Sequence, residues 1–363
     1  MTRPIVPLIR VPQISLPQIS FPQIPHPLAA IGLAAALCLS PAALRANDSS
    51  AELKAGGLVL TRDPAIEMRS EDLAISAKAV QVRYRFANTS ARDVTILVAF
   101  PMPDITIEGE DDNISVPTED PVNLLDFHTT VDGRPVEAQV QQKVFARGVD
   151  RTAYLKALGV PLAPHLRATN DILDALPKAK KAEIQRLGLG QIMEYDAGKG
   201  WERHLYATWT LKTTYFWRQT FPAGREIVVE HRYKPSVGES AGTSWGADYF
   251  AKDPNYPRER AHYCVDDGFL KAIAATPRRA DVGFAPYTEQ RIEYILSTGA
   301  NWKAPIGDFH MVIDKGDADS LVSFCGQGVR KISPTQFEVH YTNFTPRAEV
   351  SVLILKRMNG ATP

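Results

Sequence analysis

The sequence of 363 residues has few cysteines, no excess of charge of either sign and no long hydrophobic run. Lysine and arginine together number 41, and aspartate and glutamate also number 41, so the formal net charge is zero. Nucleic-acid binding requires a clearly basic face, and this balance gives no indication of one. The longest uncharged apolar run covers residues 28–39, whereas a membrane-spanning helix needs about 20 apolar residues. The balanced charge therefore predicts no nucleic-acid partner, and the short apolar run does not predict a membrane-spanning helix.

Residues 1–46 are predicted to be a signal peptide with a proline-rich leader. The leader repeats the pattern VPQIS, LPQIS and FPQIP, and such frequent proline disfavours both helix and sheet. The apolar run that follows has the length of a signal-peptide core, and small residues lead up to Ala46. We expect cleavage after Ala46, with Ala43 as the second choice. The mature chain would then begin at Asn47, be periplasmic or secreted, and have no integral membrane segment; an uncleaved membrane anchor is the less favoured alternative.

Of the three cysteines, Cys38 lies in the predicted signal peptide, and Cys264 and Cys325 remain. Bulky Leu37 precedes Cys38 where a lipid-attachment site has a small residue, so a lipid anchor is not favoured. In an oxidising compartment, two remaining cysteines most simply form one disulfide bond. The alternative is a reactive thiol, which requires a nearby base that spacing in the sequence does not reveal.

The most regular strand pattern lies in residues 80–103. Apolar and polar side chains alternate from residue 80 to residue 86, which places an apolar row on one face of a strand. Residues 88–90 have turn chemistry, and a second alternating run follows before Pro101 and Pro103. We predict that the two runs pair as an antiparallel hairpin.

Other patterns indicate a second hairpin, a helical insertion and a β-rich last third. Asp132 and Gly133 are a strong two-residue turn signal between alternating runs. Residues 150–187 show apolar spacing near three and four, interrupted by prolines, which predicts two or three short helices. A short helix is expected at residues 266–276. The strands after it lack helical crossovers, so they are most simply antiparallel.

The predicted fold class is therefore mainly β, with two antiparallel β-sandwich-like parts and a small helical insertion. Residues 47–240 are predicted to form an N-terminal β domain that contains the insertion at 150–187. Residues 241–363 are predicted to form a C-terminal β domain. Its strands would form either a second sandwich or an extension of the first.

Two features are typical of metal or nucleophile chemistry. Acidic residues crowd residues 104–120, and calcium takes oxygen ligands, but the spacing departs from an EF-hand and a solvated acidic loop is favoured. The sequence GESAG fits the G-x-S-x-G motif of serine hydrolases, with Ser240 as nucleophile and Asp266 and His310 or His340 as partners. However, no helical pattern follows it and no oxyanion loop precedes it. We predict no metal site and no cofactor, and keep the hydrolase as the alternative.

Aromatic side chains are concentrated in the predicted strands after residue 200. Such rings bind carbohydrate or peptide when exposed, although in a sheet they more often belong to the core. The candidate ligand-facing residues are Trp201, Trp209, Trp217, Trp245 and Trp302.

Several long phrases in the sequence are specific enough to indicate a family. NDSSAEL, GGLVLT, MRSEDLAIS, VRYRFANTSARDVTILVAFPMPDI and YILSTGANWKAPIGDFHMVIDKG resemble a bacterial exported family known as Domain of Unknown Function 4424. That family has no established reaction, so the resemblance implies export and a fold but transfers no catalytic residue. More weakly, VRYRFAN, FPMP, VDGRPVEAQVQQKVFA and FPAGREIVVEHRY resemble the vault/inter-alpha-trypsin inhibitor (VIT) domain, a β-sandwich module. The Asp-x-Ser-x-Ser metal motif of the domain that usually accompanies it is absent from the sequence.

These observations favour a non-catalytic exported binding or envelope-interaction protein. Its partner would be an unknown protein or envelope component. The alternative is a hydrolase that uses Ser240, or acids from residues 104–120.

Overall fold

The computed structural model describes residues 47–54, 57–109, 114–196, 198, 200–240, 242–277 and 285–358. The predicted signal peptide, residues 1–46, and part of the predicted acidic loop, residues 110–113, lie outside them. Strands hold 45% of the chain and helices 17%, which confirms the mainly β fold class. In the described part, no helix is long and apolar enough to cross a membrane.

The strands of the described residues are, in chain order, β1 (Ser49–Lys54), β2 (Gly57–Thr61), β3 (Ile66–Ser76), β4 (Val80–Asn88), β5 (Val94–Pro101), β6 (Ile105–Thr106), β7 (His128–Val131), β8 (Arg134–Val136), β9 (Gln139–Ala146), β10 (Val149–Asp150), β11 (Gly190–Asp196), β12 (Trp201–Ala207), β13 (Thr210–Phe221), β14 (Glu226–Tyr233), β15 (Gly238–Ser240), β16 (Tyr287–Tyr294), β17 (Ile306–Asp314), β18 (Leu321–Phe324), β19 (Arg330–Lys331), β20 (Gln336–Phe344) and β21 (Val350–Arg357). The helices are α1 (Thr152–Ala157), α2 (Arg167–Ala175), α3 (Lys178–Leu187), α4 (Asp248–Ala251), α5 (Tyr256–His262) and α6 (Asp267–Ala274), and a 3-10 turn covers Ser297–Asn301.

Two large sheets enclose one hydrophobic core. The seven-stranded sheet has the order β10-β9-β13-β5-β1-β2, with β6 also paired to β13. The eight-stranded sheet has the order β19-β20-β17-β3-β4-β14-β7-β8. Because side chains alternate between the faces of a strand, each sheet contributes one apolar row to the shared core. Phe100 and Trp217 enter it from the seven-stranded sheet, and Tyr84, Phe86 and Phe309 enter it from the eight-stranded sheet.

The predicted hairpin of residues 80–103 is wrong in its pairing, although both of its strands are present. β4 pairs with β3 and β14 in the eight-stranded sheet, whereas β5 pairs with β1 and β13 in the seven-stranded sheet. The connection between them therefore crosses from one sheet to the other. The Asn88 side chain supports this crossing by donating to the carbonyl oxygens of Arg92 and Phe221. The two apolar rows face the same core from opposite sides, which a local pattern cannot distinguish from a hairpin.

The helical insertion and the turn of the second predicted hairpin are confirmed. The hairpin is shorter than the predicted residues 125–146, because β9 pairs with β10 and β13 in the seven-stranded sheet. β7 and β8 pair on either side of Asp132 and Gly133, whose φ angles of 48° and 73° lie in the left-handed region that this tight turn requires. Helices α1, α2 and α3 occupy the predicted insertion. The two-stranded ribbon of β11 and β12 follows them and contacts α2 and α3.

The last third of the chain extends the first sheet system. β17 and β20 join the eight-stranded sheet, so the boundary predicted at residue 240 does not separate two sheets. β17 pairs with β3 in parallel, whereas the prediction was for antiparallel strands. A four-stranded sheet of β15, β16, β21 and β18 lies between the main core and α4, α5 and α6. Its strand β21 buries both faces: Val352 and Ile354 enter the main core, and Leu353 and Leu355 pack against the helices.

The predicted disulfide bond between Cys264 and Cys325 is present. The two Cα atoms are 5.0 Å apart, within the range that a disulfide requires. Cys264 follows α5 and Cys325 follows β18, so the bond joins the small helical layer to the four-stranded sheet.

Candidate functional site

The outer face of the eight-stranded sheet carries a cross-strand row of polar side chains. His310 on β17 lies opposite Asp72 on β3, Asp72 opposite Arg83 on β4, Arg83 opposite Glu230 on β14, and Glu230 opposite Thr130 on β7. Residues that face each other across a ladder point to the same side of the sheet. Five adjacent strands therefore place this row on a single surface.

This surface is hollowed into an open groove of about 700 Å³. A second cross-strand row, two residues further along each strand, contributes Gln81, Arg232 and His128. The groove volume lies within the range of small-molecule sites in proteins. We refer to this surface as the outer groove.

Most charged side chains of the outer groove are paired with each other. Arg83 Nε lies 3.2 Å from Glu230 Oε1, and the Thr130 hydroxyl donates to the other Glu230 oxygen over 3.4 Å. His310 lies 3.0 Å from Glu338 and 3.7 Å from Asp72. The hydrogen bond with His310 lowers the pKa of the Glu338 carboxyl group, since it favours the charged form.

Arg232 differs from these residues because its guanidinium group has no partner among the described residues. The side chain is exposed, and among the described residues it makes no hydrogen bond or ion pair. Its neighbour on β7, His128, lies 3.0 Å from Asp126, which in turn is 3.0 Å from Lys234. The outer groove thus has a free cation beside paired charges, an arrangement that can hold an anionic group.

A second polar cluster is buried between the two large sheets. Thr129 Oγ1 contacts Nδ1 of His231, and His231 Nε2 lies 3.1 Å from Asp48 Oδ1. The side chains of His231 and Asp48 are not exposed at all. Burial raises the pKa of the Asp48 carboxyl group, although the nearby His231 acts in the opposite direction.

The buried cluster continues to Glu71 through the first described residues of the chain. The Asn47 side-chain amide donates to Glu71 Oε2 over 2.9 Å, and the Tyr294 hydroxyl donates to Oε1 over 3.2 Å. The Tyr84 and Tyr294 hydroxyl groups lie 3.0 Å apart. Burial raises the pKa of the Glu71 carboxyl group to about 8. We refer to the residues of this cluster as the buried network; they are Asn47, Asp48, Glu71, Tyr84, Thr129, His231 and Tyr294.

The chain Thr129–His231–Asp48 has the residue types of a nucleophile–base–acid relay, but its surroundings favour a structural role. Thr129 is only 4% exposed. The centroids of the aromatic rings of Phe100, Phe127 and Trp217 lie 4.7, 5.1 and 5.4 Å from that of His231. A substrate would have to displace this aromatic core to reach the hydroxyl group. The buried network therefore links polar groups inside the sandwich rather than presenting a nucleophile to a substrate.

The candidate hydrolase residues make contacts that do not join them to one another. The Ser240 hydroxyl donates to the Gly242 carbonyl oxygen and accepts from the Glu289 amide over 3.3 Å. Asp266 caps α6 by accepting from the Phe269 amide. His310 lies in the outer groove, and His340 contacts Asp308. Ser240 itself lies in strand β15, and the next helix begins at Asp248, so the strand-to-helix turn of a nucleophile elbow is not formed there.

The five candidate tryptophans fall into two groups. Trp209, Trp217, Trp245 and Trp302 are buried, with exposures of 2, 4, 1 and 0%. Trp201 begins β12 of the two-stranded ribbon and is 77% exposed. Four of the five rings thus belong to the interior, and Trp201 is the one whose ring faces solvent.

The acidic segment of residues 104–120 does not assemble a metal site within the described residues. Asp104 contacts Lys212, and Asp120 accepts the backbone amides of Val122 and Asn123. Residues 110–113, which contain three of its acids, lie outside the described residues. Elsewhere in the described chain, no group of three or more His, Cys, Asp or Glu side chains is arranged to hold a metal ion.

Two members of the buried network, His231 and Glu71, are ionisable residues in otherwise apolar rows of their strands. A search for residue-type motifs does not detect this pattern. His231 occupies the apolar row of β14 together with Ile227, Val229 and Tyr233. In β3, the register shift after Met68 brings Glu71 into the apolar row. An ionisable residue in an otherwise apolar row indicates a buried polar contact, because an unpaired buried charge is costly. Arg232 carries no such signal, since an exposed arginine on a strand is common.

The comparisons with known proteins identify the family. The family model described as "Domain of unknown function (DUF4424)" matches residues 46–353, so the chain belongs to the DUF4424 family. This confirms the stronger of the two resemblances, and the resemblance to the VIT domain stays a prediction. A search of curated proteins finds no match.

Among solved structures, the chain is similar to a "putative nutrient binding protein" from Legionella pneumophila, with 18% identity over 85% of this chain and 70% of that chain and a TM-score of 0.41. It is also similar to an M1 zinc metallopeptidase from Deinococcus radiodurans, with 7% identity over 82% of this chain and 43% of that chain and a TM-score of 0.19. With TM-scores below 0.5, neither similarity bears on the function of this chain.

Proposed function

We propose that this chain is an exported, non-catalytic binding protein whose outer groove holds a small organic anion. The observation that carries the proposal is the exposed guanidinium group of Arg232, which no other described residue pairs with, in a groove whose other charges are paired. A guanidinium group binds a carboxylate through two parallel hydrogen bonds, which gives both affinity and orientation. The carboxylate of the ligand would occupy this position.

The surroundings of Arg232 supply the further contacts that a small ligand needs. His128 and Gln81 lie directly opposite Arg232 on the two neighbouring strands, and both are exposed. Thr130 and Glu230 in the adjacent row present a hydroxyl group and a carboxylate. The proposed ligand therefore combines a carboxylate with hydrogen-bonding groups. The groove rests on five paired strands, which keep these side chains in place.

The non-catalytic part of the proposal is supported by the contacts of the candidate nucleophiles. Ser240 uses its hydroxyl group in local hydrogen bonds, and Thr129 lies against buried aromatic rings. An enzyme of this kind needs a nucleophile, a base and a reacting atom within reach of one another. Neither residue offers that combination to a ligand in the outer groove.

A thermal-shift experiment with defined small molecules tests the proposed function. Ligand binding stabilises the folded state, so succinate and glutamate are expected to raise the melting temperature. Glutaminamide, maltose and putrescine, which have no carboxylate, should raise it less or not at all at equal concentration. Arg232→Gln should abolish the effect of the two acids. Arg218→Gln is the matched control, since Arg218 is also exposed on a strand but belongs to the seven-stranded sheet.

Two results would contradict the proposed function. One is an equal response to acids and neutral compounds in the unmodified protein. The other is an equal loss of response in the Arg232 and Arg218 variants, which would show that the acids act through general charge rather than through the outer groove.

A further inference from the structure

The first described residues of the chain are held inside the protein by residues from its last third. Thr298 Oγ1 donates to the Asn47 carbonyl oxygen over 2.7 Å, and Trp302 Nε1 donates to the Asp48 carbonyl oxygen over 2.7 Å. The Asn301 side chain donates to the Ser49 hydroxyl over 3.0 Å. Asn47, Asp48 and Ser49 are all 0% exposed. A surface terminus needs none of these contacts, so the position of Asn47 is specific.

The buried network has more acidic than basic groups. Asp48 and Glu71 carry carboxyl groups, and His231 is the basic side chain hydrogen-bonded to either of them in the described structure. The groups that face Glu71 from the other packed elements are the hydroxyl groups of Tyr84 and Tyr294, which bring no positive charge. The second oxygen of Asp48, Oδ2, is buried without a hydrogen-bond partner among the described residues. The negative charge of Asp72, which lies on the opposite face of β3, also raises the pKa of Glu71.

We propose that hydrolysis of the peptide bond between Ala46 and Asn47 places the new α-ammonium group of Asn47 in the buried network, as the cation that pairs with Glu71 and Asp48. Water supplies the hydroxyl group that Ala46 gains as a carboxylate, and the nitrogen of Asn47 becomes the protonated amine. A peptidase of the signal-peptidase class catalyses this cleavage. The proposal does not depend on the function of the outer groove.

Covalent geometry supports this location for the ammonium group. The backbone nitrogen of Asn47 is joined to its side-chain amide through three carbon atoms, which keeps the two nitrogens within about 5 Å. That amide is 2.9 Å from Glu71, and the Asn47 side-chain oxygen accepts the Asp48 amide over 2.8 Å. The α-nitrogen therefore lies within about 8 Å of Glu71 Oε2, in the 0% exposed segment that also carries the Asp48 carboxyl group. An amide nitrogen at this position, in an uncleaved chain, brings no charge to them.

The proposal predicts that cleavage changes the pH dependence of folding. Without the ammonium group, the pKa of Glu71 is raised by burial from 4.5 to about 8, so the folded state retains a proton that the unfolded state has released. The contribution of the protonated Glu71 to the free energy of unfolding is then fully present below pH 4.5 and is lost as the pH rises towards 8. The ammonium group favours the charged carboxylate, so the cleaved chain should lose less stability over the same pH window.

The first experiment locates the terminus and its burial. Protein exported by cells and purified from the periplasm should begin at Asn47 when examined by mass spectrometry. Its α-amine should resist acetylation by an N-hydroxysuccinimide ester at pH 7 in the folded state and react after unfolding in urea, while exposed lysines such as Lys54 react in both. A terminus other than Asn47, or an α-amine that reacts at the same rate in both states, would overturn the proposal.

The second experiment compares a chain that begins at Asn47 with one that retains Gly-Ser-Ala before Asn47. Urea unfolding between pH 5 and pH 8 should show the extended chain losing stability faster, with the ratio of unfolding constants between the two chains growing at least tenfold across the range. Glu71→Gln should remove this difference, whereas Glu52→Gln, an exposed residue on β1, should not. If the two chains unfold with the same pH dependence, the ammonium group is not part of the network. The acetylation experiment decides the question without any variant, should Glu71→Gln fail to fold.

Discussion

Single ionisable residues inside the sandwich determine where its polar groups must be satisfied. His231 has a hydrogen-bond partner on each ring nitrogen, Thr129 on β7 and Asp48 just before β1. Breaking a buried pair costs more than the pair contributes, because the remaining group stays buried without compensation. Exposed pairs, such as His340 with Asp308, are solvated in either state and contribute little.

His231→Leu is therefore expected to lower the free energy of unfolding by about 3 kcal/mol, since the buried Asp48 side chain loses the partner of its Oδ1 atom and Thr129 keeps only the Glu230 carbonyl oxygen. His340→Leu, the matched control, should change it by less than about 1 kcal/mol. Urea unfolding followed by tryptophan fluorescence measures both. Similar losses in the two variants would show that the buried network contributes no more than an exposed pair.

At the scale of elements, the sequence predicts where strands lie better than which strands pair. Alternation located β3, β4, β5 and β14, because each strand buries one face. It did not identify the sheet to which each belongs: β4 and β5 present apolar rows to the same core from different sheets. The parallel pairing of β17 with β3 depends on residues more than 200 positions apart, and no local pattern specifies it.

The helical layer and the two large sheets are stabilised by different contacts. The helical layer of α4, α5 and α6 packs on the four-stranded sheet through its own small cluster of buried side chains, separate from the main core. The disulfide bond closes a loop with a sequence separation of 61 residues across this layer.

Reduction of the disulfide bond, or Cys264→Ser, is expected to destabilise this layer more than the main core, with a loss of up to ~4 kcal/mol from the loop-entropy effect. Hydrogen exchange should increase most in α5 and β18 and least in β4, which lies in the middle of the eight-stranded sheet. Cys325→Ser is the matched control and should reproduce the pattern. Equal increases in β4 and β18 would contradict a local role for the bond.

At the scale of the whole molecule, residues from both predicted domains contribute to the eight-stranded sheet and to the outer groove on it. The eight-stranded sheet combines strands from both sides of residue 240, and the turn Ser297–Asn301 with Trp302 binds Asn47 and Asp48. The outer groove exists because β17 aligns with β3, so His310 reaches the row that contains Asp72 and Arg83. From the sequence, His310 was a candidate partner of Ser240 in a hydrolase. Arg232 was not a candidate for any site, because only the assembled sheet shows that the charged neighbours of Arg232 are paired while Arg232 has no partner among the described residues.

The most direct test of the proposed binding site observes Arg232 itself. In a protein labelled with nitrogen-15, the Nε–Hε resonance of Arg232, assigned by its loss in Arg232→Gln, is followed during a titration with succinate. We predict a saturable shift of this resonance, with the resonance of Arg218 unchanged. A shift of the same size at both arginines, or none at Arg232 while succinate still raises the melting temperature, would contradict an anion site in the outer groove.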